Sequence, residues 1–76
     1  MNRLRRKQLQ EIIERLEDLK SDLEALKDEE EEYRDNMPEN LQASERYEKA
    51  DEACDNLDMA FESLEEAVSY IEEAVA

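Results

Sequence analysis

The chain has no histidine, no glycine and no tryptophan, and only one proline and one cysteine among its 76 residues. Each absence removes a class of chemistry. Without histidine, neither a Ser-His-Asp nor a Cys-His nucleophile can be assembled, and one cysteine is too few for a zinc site. Without glycine, the sharp turn of an EF-hand loop is missing, so the many carboxylates do not form a dedicated calcium loop. Paired carboxylates do acid–base work only in a cleft that shifts one pKa, and a chain this short has room for a thin core rather than a cleft. The expectation is a protein that is not an enzyme, with no cofactor and no metal. No apolar run approaches the ~20 residues of a membrane span. The opening MNRLRRK is charged, yet no apolar segment follows it as in a secretion signal. Together with the lone cysteine, this reads as a reducing, cytoplasmic setting.

What is abundant is charge. Ten Lys and Arg stand against 24 Asp and Glu, a net of −14. Such a composition suits a disordered acidic chain or a long-helix protein, and periodicity decides between them. Large apolar residues fall at Leu9, Ile12, Leu16, Leu19, Leu23 and Leu26, then at Tyr33 and Met37 after Glu30 takes one slot. The same alternation of three and four resumes at Tyr47, Ala50, Cys54, Leu57, Phe61, Leu64, Val68, Ile71 and Val75. Each series is a heptad stripe, which argues for helix and against disorder. Between them, Pro38 pushes Met37 out of the α region, and Ser44 followed by Glu45 and Glu48 reads as a helix N-cap. The prediction is one all-α domain over residues 1–76: helix 1 at about 3–35, a turn at about 36–43 and helix 2 at about 44–75. A short connection makes the two helices an antiparallel hairpin.

A turn centred near residue 40 sets a register in which Leu26 meets Cys54, Leu23 meets Leu57, Leu19 meets Phe61, Leu16 meets Leu64 and Glu30 meets Ala50. The flanking charges then form three cross-helix pairs: Arg34 with Asp51, Lys27 with Asp58 and Lys20 with Glu65. Exposed pairs of this kind contribute little individually, but together they disfavour a parallel arrangement. Cys54, on the stripe, reads as a small core residue.

Outside the stripes, Ala53, Ala60, Ala67 and Ala74 recur at every seventh position of helix 2. Small residues either ease packing against the aliphatic stems of helix 1 or admit a second copy, a homodimer that closes a four-helix bundle. Met59 and Tyr70 sit off both stripes and share an outward face, a docking patch or two ordinary exposed side chains. The acids concentrate in KDEEEEYRDN, where Asp28, Glu29, Glu31, Glu32 and Asp35 lie just ahead of the turn, with Glu62 and Glu66 as a second cluster. Residues 9–76 hold all 24 acids against six bases. Over a rod ~45 Å long, that is roughly one net negative charge per 2.5 Å, against one per ~1.7 Å for duplex DNA. Such a surface either keeps a small protein soluble or occupies a basic nucleic-acid groove. The cluster Arg3, Arg5, Arg6 and Lys7 has no aromatic neighbour for direct nucleic-acid recognition, and the antiparallel carboxyl end, with Glu72 and Glu73, is placed to neutralise it.

The passage MPENLQASERYEKADEA, with the opening RRKQLQEIIERLEDLK, resembles small acidic helical-hairpin proteins of unassigned function from bacteria, their phages and mobile elements. That resemblance brings no catalytic residues, and it implies a counter-defence role of the anti-CRISPR kind, inhibition of a host nuclease. Three readings follow. The first is an acidic module that competes with nucleic acid for a basic surface on a partner protein, binding no nucleic acid and no membrane itself. The second is a self-associating coiled coil, and the third an adaptor docking through Met59 and Tyr70.

Overall fold

The computed structural model describes residues 1–76. Helix α1 runs Arg3–Asp35, a single 3-10 turn covers Glu39–Leu41, and helix α2 runs Glu45–Val75. The boundaries follow local chemistry. Asn2 is extended, and its side-chain oxygen accepts from the Arg5 N–H at 2.7 Å, satisfying one of the unpaired donors of the first turn. At the other end of α1, Asn36 still donates to the Glu32 carbonyl at 2.9 Å, but Pro38 has no N–H and the ladder stops. The Leu41 N–H donates to the Pro38 carbonyl at 2.8 Å, and the Gln42 side chain reaches back to the Met37 carbonyl at 3.5 Å. Ser44 then caps α2: its hydroxyl accepts from the Tyr47 N–H at 3.3 Å and donates to the Leu41 carbonyl. Glu45 and Glu48 place negative charge in the first turn, where the helix dipole favours it.

The two helices run in opposite directions. Arg34 Nη1 pairs with Asp51 at 2.9 Å and Lys27 Nζ with Asp58 at 2.8 Å, so a step of one heptad forward on α1 is a step of one heptad back on α2. The third expected pair is not made. Lys20 instead bridges Glu17 on its own helix at 3.3 Å, and its ammonium lies 5.5 Å from the centre of the Phe61 ring. Lys27 stands at the same 5.5 Å from that ring. Phe61 therefore sits level with Leu23, midway between the two lysines, rather than with Leu19 as the sequence register expects. Cys54 likewise lies within the field of Glu30, Glu31 and Arg34 rather than beside Leu26. The register is displaced by about one helical turn, because residues 36–41 continue beyond the end of α1 before the chain reverses.

Helix α1 is also rotated about its axis. Its inward stripe is Leu9, Ile13, Leu16, Lys20, Leu23, Lys27, Glu30, Arg34 and Met37. Ile13 is 7% exposed, whereas Ile12, Leu19, Leu26 and Tyr33, expected in the core, are 40%, 58%, 58% and 45% exposed. Three long cationic side chains take their place. Lys20, Lys27 and Arg34 are only 20%, 18% and 22% exposed, because their aliphatic stems lie along α2 while their heads reach carboxylates. Glu30, expected opposite Ala50, is half-buried near Cys54. Helix α2 keeps the stripe read from its sequence, with Ala50, Cys54 and Val68 buried.

The result is a slender rod, 59 × 15 × 13 Å, in which only Ile13, Met37, Ala50, Cys54 and Val68 are buried. Its accessible surface is 5922 Å², against roughly 4,900 Å² for a compact protein of this mass. No helix is long and apolar enough to cross a membrane.

Candidate functional site

The surface has no pocket, and nowhere do three or more Cys, Asp or Glu side chains converge as metal ligands would. What the hairpin offers is two unlike flanks. On α2, all eleven acids fall in three neighbouring columns of the seven in a heptad: Glu48, Asp55 and Glu62 in one, Asp51, Asp58, Glu65 and Glu72 in the next, Glu45, Glu52, Glu66 and Glu73 in the third. The Lys27–Asp58 and Arg34–Asp51 pairs lie on this side. The two adjoining columns of α1 add Glu17, Glu24 and Glu31 and then Glu14, Asp28 and Asp35. One side of the rod is thus acidic along most of its length, up to the amino end of α1, where Arg3 and Lys7 stand in the same two columns.

The turn-proximal acids do not form one patch. Successive residues rotate by about 100° around a helix, so the run from Asp28 to Asp35 fans out. Asp28, Glu31 and Asp35 belong to the acidic flank, Glu32 to the outer edge of α1, and Glu29 to the opposite flank. Asp35 is already engaged, accepting from Arg34 Nε at 2.9 Å. That hydrogen bond, with a smaller contribution from the one Arg34 donates to Asp51, holds the Arg34 guanidinium well above its ordinary pKa. Lys27 is raised in the same way by its hydrogen bond to Asp58. Glu62 and Glu66 both lie on the acidic flank, further along the rod. Glu66 accepts from the Tyr70 hydroxyl at 3.3 Å, which joins a residue of the acidic reading to one of the adaptor reading. Met59 and Tyr70 are both exposed, Met59 among the acids and Tyr70 at the far edge of α2.

The basic cluster is not neutralised as expected. None of Arg3, Arg5, Arg6 and Lys7 takes part in the five ion pairs of the chain. The displaced register accounts for this, because α1 begins beyond the last turn of α2.

Sequence reasoning named the alanine stripe on the α2 side of the other flank but missed its α1 side. Ile12, Leu19, Leu26 and Tyr33 point sideways, away from the Lys27–Asp58 pair, and α2 presents the Ala53, Ala60, Ala67 and Ala74 stripe to the same side. Between the two rows lie the half-buried Leu57, Leu64 and Ile71. The available signal was Ile13, Lys20, Lys27 and Arg34, a column of long aliphatic stems one position on from the apolar one. No protein-family model, no curated protein and no solved structure matches the chain.

Proposed function

We propose that this chain is an acidic protein-binding module, not an enzyme, that competes with nucleic acid for a basic surface on a partner protein. The observation that supports this reading is the confinement of the α2 acids to three neighbouring columns. A merely solubilising surface has no need of such order. Helix α2 instead leaves its remaining columns without a single carboxylate.

The charge density refines the kind of surface mimicked. Over the full 59 Å of the rod, the net charge of −14 is about one per 4 Å, sparser than the sequence expectation. On the acidic flank, twelve carboxylates have no ion-pair partner, about one per 5 Å, against 3.4 Å per phosphate along one DNA strand. The match is to a groove that tracks a single phosphate backbone rather than to one that wraps a duplex. An inhibitor of a host nuclease, as the sequence resemblance implies, is one protein that such a rod would suit.

The test is displacement. Bacterial proteins retained on single-stranded DNA resin at low salt are challenged with the hairpin, and its partner should elute beyond the amount released by buffer of the same ionic strength. A variant carrying Asp28→Asn, Glu31→Gln, Asp55→Asn and Glu62→Gln should keep its helicity and lose the displacement. Displacement that survives this neutralisation, or that is abolished instead by Met59→Ala and Tyr70→Ala, refutes the proposal in favour of the adaptor reading.

A further inference from the structure

We propose that the apolar flank is covered by a second copy of this chain, forming a twofold four-helix bundle whose axis runs along the length of the hairpin. The proposal is independent of the acidic reading and rests on the opposite side of the rod.

Four observations select a second copy as the occupant. The first is continuity: Ile12, Leu19, Leu26 and Tyr33 form one row at heptad spacing, each 40% or more exposed, and the row borders the half-buried Leu57, Leu64 and Ile71. Surface apolar residues scattered singly need no explanation, but a contiguous row marks an interface. The second is charge. A chain of net −14 repels its own copy on almost any approach. This flank is the exception: the α2 columns that face it hold Ala53, Ala60, Ala67, Ala74 and their outer neighbours Lys49, Asn56, Ser63 and Tyr70, with no carboxylate among them. On α1, only Asp22 and Glu29 border the row, in the same column as Arg15. The third is area. The row from Ile12 to Tyr33 spans about 32 Å of helix and, across the 15 Å width of the rod, presents about 480 Å² per copy, toward the low end of specific interfaces.

The fourth observation is shape, and it sets the axis. The flank is large on the α1 side and small on the α2 side. A closed dimer uses the same patch twice, so its axis lies in the interface, either along the rod or across it. An axis across the rod stacks Leu19 on Leu19 and alanine on alanine, holding the α1 pair apart where the α2 pair must close up. An axis along the rod lays α1 of one copy antiparallel over α2 of the other. Leu26 then faces the partner's Ala60 and Leu19 the partner's Ala67, large against small at every layer. Both acidic flanks remain on the outside of the assembly.

Sedimentation equilibrium reads the first part of the proposal. The wild-type chain should have twice its 9.0 kDa mass at micromolar concentration, and dimerisation should tighten with salt as the repulsion between two −14 chains is screened. A wild-type monomer at hundreds of micromolar overturns the proposal. Leu19→Glu with Leu26→Glu should yield a helical monomer, and a dimer unchanged by the pair overturns the choice of flank. The axis is read by disulfides in a Cys54→Ala background, which does not depend on the Glu variants folding. Mixed Leu26→Cys and Ala60→Cys chains should join to each other, whereas Leu19→Cys chains joining to themselves would place the axis across the rod and overturn the arrangement. Neutralising the opposite flank should strengthen the dimer while abolishing displacement from DNA, so the two proposals fail separately.

Discussion

Ile12 and Ile13 are neighbours of identical chemistry, and the rotation of α1 assigns them opposite roles. Ile13 is 7% exposed in the seam between the helices, whereas Ile12 is 40% exposed on the flank. Removing a buried isoleucine side chain costs about 2–5 kcal/mol. With only two helices around it, the gap left by Ile13→Ala partly collapses, which argues for the low end, about 2–3 kcal/mol. Ile12→Ala gives up roughly 1 kcal/mol of partial burial and regains about 0.4 kcal/mol from the better helix propensity of alanine. The net is below ~1 kcal/mol. A chain of this size has a total stability of roughly 4–11 kcal/mol and a urea slope near 1 kcal/mol per molar. Ile13→Ala should therefore lower the urea midpoint by about 2–3 M and Ile12→Ala by less than about 1 M, followed by helical circular dichroism. A dilution series isolates any added loss at Ile12 that belongs to a second copy, because only that part depends on concentration. Equal losses, or a larger one at Ile12 in the dilute limit, would refute the rotation and restore the simple heptad core.

Ser44→Ala removes the oxygen that accepts from Tyr47 and should destabilise the hairpin by ~1 kcal/mol, whereas Ser44→Asp should be near neutral; both are read by thermal melting. Burial pushes the Cys54 thiol above its ordinary range, with Glu31, Glu30 and Asp51 adding to the rise and Arg34 opposing it. The folded chain should then be alkylated far more slowly at pH 8 than the urea-unfolded one. Because the folded thiol holds its proton when the unfolded one has lost it, stability should fall as pH rises above the unfolded thiol pKa of ~8.5, and Cys54→Ala should remove that slope between pH 8 and 10.

Much of this fold was legible from single residues. Pro38 and Ser44 bound the turn because one lacks a donor and the other supplies an acceptor, and both effects are local. The face of α1 was not legible in the same way. Heptad reading ranks lysine and arginine as polar, yet Lys20, Lys27 and Arg34 cover α2 with methylenes once Glu17, Asp58, Asp51 and Asp35 receive their charges. Which of two adjacent columns turns inward depends on where the opposing helix places its carboxylates, and that depends on a register the turn alone decides. The bounds of the turn were legible, but its centre was placed near residue 40 rather than near 42, because nothing in residues 36–43 signalled the 3-10 segment at Glu39–Leu41. The acidic columns of α2 could have been found by sorting its acids by heptad position, since no tertiary contact is needed to count them.

The hairpin also has an order of assembly written into its single reversal. Every cross-helix contact closes a loop through the same turn, from 17 residues at Arg34–Asp51 outward to the far end of the rod. Each doubling of a closed loop costs only about 0.6 kcal/mol, but the inner contacts must form before the outer ones become short. The chain therefore closes like a zipper from Met37 toward Leu9 and opens in the reverse sequence. Amide protons near Arg34 and Cys54 should be the last to exchange and those near Arg5 and Ile71 the first. Pulled apart by its ends, the molecule would yield turn by turn, so that stretching it measures the strength of each layer in succession rather than of the whole at once.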